Sequence, residues 1–73
     1  MAQIVDARGL SCPQPVLMTI EEIKKTGKGE IEILVDTDTS KENVSRAAST
    51  KGWQVQNVAE EGSGYRIVIK KEA

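Results

Sequence analysis

The sequence predicts an α+β fold, a two-layer sandwich of order βαβαββ in which two helices cover one face of a four-stranded mixed sheet. Three observations predict it. One stretch is short, apolar and β-branched and three more alternate apolar with polar residues, as strands do. Two other stretches repeat apolar residues at helical spacing. Each helical stretch stands between strand-like ones, so right-handed crossovers place both helices on the same side of the sheet. The chain of 73 residues reads as a single domain, residues 1–73, without repeat, linker or low-complexity segment. A domain of that size buries only about 60% of its unfolded surface.

The first strand is QIVDA, which runs into a loop at RGL. From Val16 the period changes: Val16, Ile20 and Ile23 recur at helical spacing with Leu17 alongside, while Glu21, Glu22, Lys24 and Lys25 occupy the other side. Gly27 and Gly29 end this helix, and Lys24, Lys25 and Lys28 suit its negative end. EIEILVD alternates Ile31, Ile33 and Val35 against Glu30, Glu32, Leu34 and Asp36, which makes a second strand. Thr39 followed by Glu42 fits a capping box for the second helix, which carries Val44, Ala47 and Ala48 inward and stops at Gly52. Trp53, Val55 and Val58 form the inner side of a third strand, and Tyr65, Ile67 and Ile69 that of a fourth. GSG between them makes a hairpin turn.

Composition removes several function classes. Ten basic residues face eleven acidic ones, for a net charge of −1. A dedicated nucleic-acid binder shows a concentrated basic face and a basic pI, so no direct nucleic-acid contact is expected. No apolar run is long enough to span a bilayer, and MAQIVDARGL lacks a basic region followed by an apolar signal core; no membrane role is expected and the cytoplasm is the expected location. Asp36 and Asp38 sit among Thr37, Thr39 and Ser40, where turn and capping roles explain them better than a metal pair. The single cysteine, Cys12, cannot close an internal disulfide, and without histidine a structural zinc site is implausible. No metal or organic cofactor is expected.

Cys12 lies in DARGLSCPQPV, between Gly9 and two prolines, Pro13 and Pro15. An inert, buried thiol is the competing reading, but a loop at a helix start is where reactive thiols occur. Two frames are open. With Pro13 as the first helical residue, Cys12 is the N-cap; with Pro15 first, Gln14 is the N-cap and Cys12 stands two residues outside. Both place the sulfur at the positive end of the helix. In the first frame the prolines remove two amide hydrogens and leave that of Gln14 best placed for a thiolate. An exposed helix terminus stabilises a nearby anion by about 0.3–1 kcal/mol, which lowers a thiol pKa by roughly 0.2–0.7. The thiolate fraction at pH 7 then rises from about 3% to about 10–15%, and Arg8 adds to this if its side chain folds back. Moderate activation suits a sulfur that takes up and releases cargo by exchange. It does not suit a cysteine hydrolase, which needs an adjacent base.

At CPQP the sequence resembles the TusA/SirA/YedF family of small sulfur-carrier proteins, whose hallmark is a Cys-Pro-x-Pro motif at the start of the first helix. The resemblance takes in Asp6 and Gly9, then Cys12, Pro13 and Pro15, and the βαβαββ order, so it covers essentially the whole chain. It implies a two-layer α/β sandwich whose Cys12 carries sulfur as a persulfide, accepted from a cysteine desulfurase and passed to an acceptor protein in pathways such as tRNA thiolation, molybdenum-cofactor synthesis or sulfur oxidation. KENVSRAASTKGW looks most like the YedF branch, which is associated with selenium metabolism. In this reading Cys12 is the sulfurtransferase nucleophile, Pro13 and Pro15 fix the loop, and Gln14 and Arg8 support the sulfur. Two rivals remain: a regulatory protein-interaction module in which Cys12 is incidental, and a thiol redox switch without sulfur transfer.

Overall fold

In the computed structural model, which describes residues 3–10 and 14–72, the elements follow the expected order. They are β1 (Gln3–Asp6), α1 (Gln14–Thr26), β2 (Gly29–Val35), α2 (Asp38–Thr50), β3 (Gln54–Glu61) and β4 (Gly64–Lys71). The four strands form one sheet in the order β1-β2-β4-β3. β1 runs parallel to β2, and the other two pairings are antiparallel. The fold is therefore the expected α+β sandwich with a mixed sheet, and α1 and α2 pack against each other over it.

The alternation in the strands translates directly into the core. Val5, Ile33, Ile67 and Val58 form one row across the sheet, in which Val58, expected to face inward, is 41% exposed on the edge strand β3, and Ile31, Ile69 and Val55 form the next. Ile31, Ile33, Val35, Ile67 and Ile69 are wholly buried, joined from the helices by Ile23, Val44 and Ala48 and from the end of α2 by Trp53. Each fully buried aliphatic side chain of this size contributes about 1.5–3 kcal/mol, so these rows hold the two layers together. No described helix covers the opposite sheet face, and Ile4 is 65% exposed there.

Three details depart from or sharpen the sequence reading. Helix α1 begins at Gln14, two residues before the apolar pattern starts, because Pro15 fits the first turn, where its missing amide costs nothing. Gln14 is thus inside the helix and is not its N-cap; the frame with Pro13 first rests on residues outside those described. The cap of α2 is Thr37 and not Thr39. Thr37 is extended (φ −137°, ψ 154°) and its hydroxyl accepts from the Ser40 amide, which draws Thr39 and Glu42 into the helix, where they form no capping box. Finally, β3 contains a bulge between Val55 and Asn57. The extra residue explains why Val55 and Val58, three apart, face the same side.

The end of α2 is a Schellman motif. The Trp53 amide donates to Ala48 and the Gly52 amide to Ser49, with Gly52 at φ +87°. Trp53, 3% exposed, is thereby turned into the core as a packing residue.

Candidate functional site

The candidate site is the segment joining β1 to α1. Cys12 and Pro13 lie outside the described residues; what the structure shows is how the chain on either side of them is held. On the entry side, three successive amides each have an acceptor. Ala7 donates to the Leu34 carbonyl at 2.8 Å, which extends the β1–β2 pairing by one residue. Arg8 donates to Asp6 Oδ1 at 3.2 Å, and Gly9 to Asp36 Oδ2 at 2.8 Å. Gly9 has φ +79°, a left-handed conformation that a side chain would oppose, and the turn there points its amide toward β2.

On the exit side, Gln14 is exposed and Pro15 is buried at the start of α1. The Thr19 hydroxyl, also buried, donates to the Pro15 carbonyl at 2.8 Å. The described chain is therefore held on both sides of residues 11–13, by the Gly9 hydrogen bond and by the packed first turn of α1. Leu10, the last described residue before them, is 38% exposed, and Leu17, in α1, is 50% exposed.

The charges beside the span are paired. Arg8 clasps Asp6 through two parallel bonds, Nε to Oδ1 and Nη2 to Oδ2, both 2.9 Å. The hydrogen bonds from Arg8, side chain first and backbone second, hold the Asp6 carboxyl at about 2, well below its ordinary value. Asp6 in turn raises the Arg8 pKa, with smaller contributions from Asp36 and Glu61. The Arg8 side chain thus folds back onto Asp6, which engages the guanidinium that sequence reasoning offered to the sulfur. Nearby, the Tyr65 hydroxyl donates to Asp38 at the start of α2, lowering the Asp38 pKa and raising that of Tyr65. Lys41 lies 4.7 Å from the Tyr65 ring centre and 3.6 Å from the Asp38 carboxylate.

Of the sequence-predicted site residues, the structure brings Arg8 and Gly9 together with Asp6 at the end of β1, and sets Gln14 and Pro15 at the start of α1. In the sequence Asp36 reads as a polar residue at the end of a strand, with a turn or capping role. Its part in holding Gly9, 27 positions away, has no local sequence signal, because the contact exists only once β1 and β2 are paired. A groove of about 370 Å³ lies between α1 and α2, lined by Val16, Ile20 and Ala47 with Arg46 and Lys51. Among the described residues no group of three potential ligands is placed to hold a metal ion. No described helix is long and apolar enough to cross a membrane.

Comparison with known proteins bears on the family and the fold. The family model for sulfurtransferase TusA matches residues 3–71. A candidate sulfur carrier protein of Methanocaldococcus jannaschii is 38% identical over 68 residues, covering 92% of this chain and 91% of its own. A second, from Archaeoglobus fulgidus, is 33% identical over 69 residues (93% and 94%). The candidate sulfur carrier YedF of Escherichia coli is 32% identical over 68 residues (92% and 88%). The crystal structure of a SirA-like protein from Desulfitobacterium hafniense superposes with a TM-score of 0.86 at 26% identity, covering 96% of this chain and 97% of that one. With the same fold, and with a match running from the first strand to the last across the segment that holds its only cysteine, this chain belongs to the TusA family of sulfur carrier proteins.

Proposed function

We propose that the protein relays sulfur as a persulfide on Cys12. The Cys12 thiolate attacks the outer sulfur of a donor persulfide, R–S–SH; the donor S–S bond breaks, R–S⁻ leaves, and Cys12–S–SH forms. An acceptor thiolate then attacks that outer sulfur and Cys12 leaves as thiolate. Each step exchanges one S–S bond for another, so no outside oxidant or reductant is consumed. A cysteine desulfurase is the donor this reading assigns, and the acceptor is a protein thiol of a thiolation or selenium pathway. The reducing cytoplasm is the setting in which a lone thiol stays available for this exchange. Residues 1–73 serve as one carrier domain.

The observation that carries the proposal is family membership across residues 3–71 in a chain whose sole cysteine falls in the pegged β1–α1 span. The fixed points on both sides support it, because a thiol handed between two proteins must be presented in a reproducible position. Arg8 and Gly9 brace the entry side, Pro13 and Pro15 stiffen the exit, and Gln14 offers its amide at the helix start.

Incubation with a cysteine desulfurase and cysteine, followed by intact mass before and after reduction, tests the reading. The normal protein should gain one reducible sulfur atom and the Cys12→Ser protein none. A thiol that is accessible yet stays unloaded with several desulfurases would refute the relay and favour a redox switch or an interaction module.

A further inference from the structure

Resting on the relay reading, we infer that Asp36 is a positioning residue for Cys12, acting through the Gly9 amide. Its carboxylate stands just past the end of β2, where two other contacts fix the backbone. Leu34 accepts the Ala7 amide from one side. From the other, β4 begins so close that a methyl group on Gly64 would collide with the Val35 carbonyl oxygen and lie 3.2 Å from the Asp36 Cα. Asp36 is therefore held by the sheet and not by the span it supports. From that platform it accepts the Gly9 amide at 2.8 Å, the last described hydrogen bond on the entry side, three residues before Cys12.

The competing account is that Asp36 acts through its charge. The two accounts predict opposite signs. A negative charge near the loop opposes thiolate formation, so removing it alone lowers the Cys12 pKa. The sequence sets Cys12 just ahead of α1, so loss of the tether costs its thiolate part of the roughly 0.2–0.7 pKa lowering that a helix terminus contributes, and the pKa rises.

Asp36→Asn keeps an oxygen acceptor for Gly9 but removes the charge; Asp36→Ala removes both. The measurement is the pH profile of Cys12 alkylation by iodoacetamide, with sulfur loading by a cysteine desulfurase run in parallel and folding checked by circular dichroism. The expected result is a thiol pKa higher in Asp36→Ala than in Asp36→Asn, and loading slowed several-fold in Asp36→Ala but within about twofold of normal in Asp36→Asn. Alkylation profiles that coincide in the two variants would overturn the inference. So would equal loading by both at rates well below the unaltered protein. If the unaltered protein takes up no sulfur, the relay reading fails, while the alkylation profiles still decide the tether.

Discussion

Asp6 and Arg8 show how two exposed side chains shape a loop without contributing much to overall stability. Their bidentate geometry is good, but both side chains are more than half exposed, and solvent screens such pairs. Their pH signature is nonetheless specific. Folding holds the Asp6 carboxyl at about 2, below its ordinary 3.8, so its contribution is present above about pH 4 and fades as pH falls toward 2. Asp6→Asn should therefore flatten that limb of the stability curve, as measured by urea unfolding between pH 2 and 5. An unaltered limb would show that the pair does not form in solution. Gly64 makes a different demand at the same end of the molecule. Its neighbours are backbone atoms of Val35 and Asp36, which cannot swing aside as a flexible side chain can. Gly64→Ala should cost about 1–3 kcal/mol, the range for forced overpacking, read as a lower urea midpoint. This glycine lies in GSG and reads as an ordinary turn residue; the close approach that requires it appears only in the folded sheet.

At the level of elements, helix ends were harder to read than helix bodies. The apolar spacing of Val16, Ile20 and Ile23, and of Val44 and Ala48, marks the helices because burial selects one face. Caps depend on which of several eligible residues takes the extended conformation, and DTDTS offers more than one. Thr37 wins, with its hydroxyl on the Ser40 amide at 3.0 Å and Asp38 in the first turn, where a negative charge is favourable. The consequence is a paired expectation. Thr37→Ala should lower stability by about 1 kcal/mol, the usual value of a lost N-cap, whereas Thr39→Ala, inside the helix on its exposed side, should change it by less than about 0.5 kcal/mol. Thermal or urea unfolding of both variants checks this, and a larger loss at Thr39 would restore the capping box. The bulge in β3 was likewise invisible, because an unpaired residue in an alternating strand leaves only a three-residue step between Val55 and Val58, which sequence alone reads as fraying.

For the whole molecule, the fold was legible because strand and helix periods switch cleanly along the chain, and the family was legible from the motif at Cys12, whose residue types are unusual together. The supports of that motif were not. Leu34 and Val35 end β2 and Asp36 follows it, and they meet Ala7, Gly9 and Gly64 only when a parallel and an antiparallel pairing both form beside them. The sheet order places this site at a mechanical boundary. β2 and β4, seven and eight residues long, are the central strands and have a partner on both sides, while β1 is an edge strand of four residues joined to β2 alone. Opening of β1 would withdraw Val5 and release the pegs at Ala7 and Gly9 while leaving Ile31 paired with Ile69 and Ile33 with Ile67, so the end of β1 that leads to the cysteine span is expected to yield before the central strands do. Native-state hydrogen exchange should then show hydrogen-bonded amides of β1, and those of Ala7 and Gly9, exchanging through a lower-energy opening than amides of β2 and β4, which exchange near the global limit. Asp36→Ala should speed exchange at the Gly9 amide selectively and leave β4 protected. If all these amides exchanged at one common free energy, β1 and the core would unfold as a single unit, and the span could loosen only when the whole domain does.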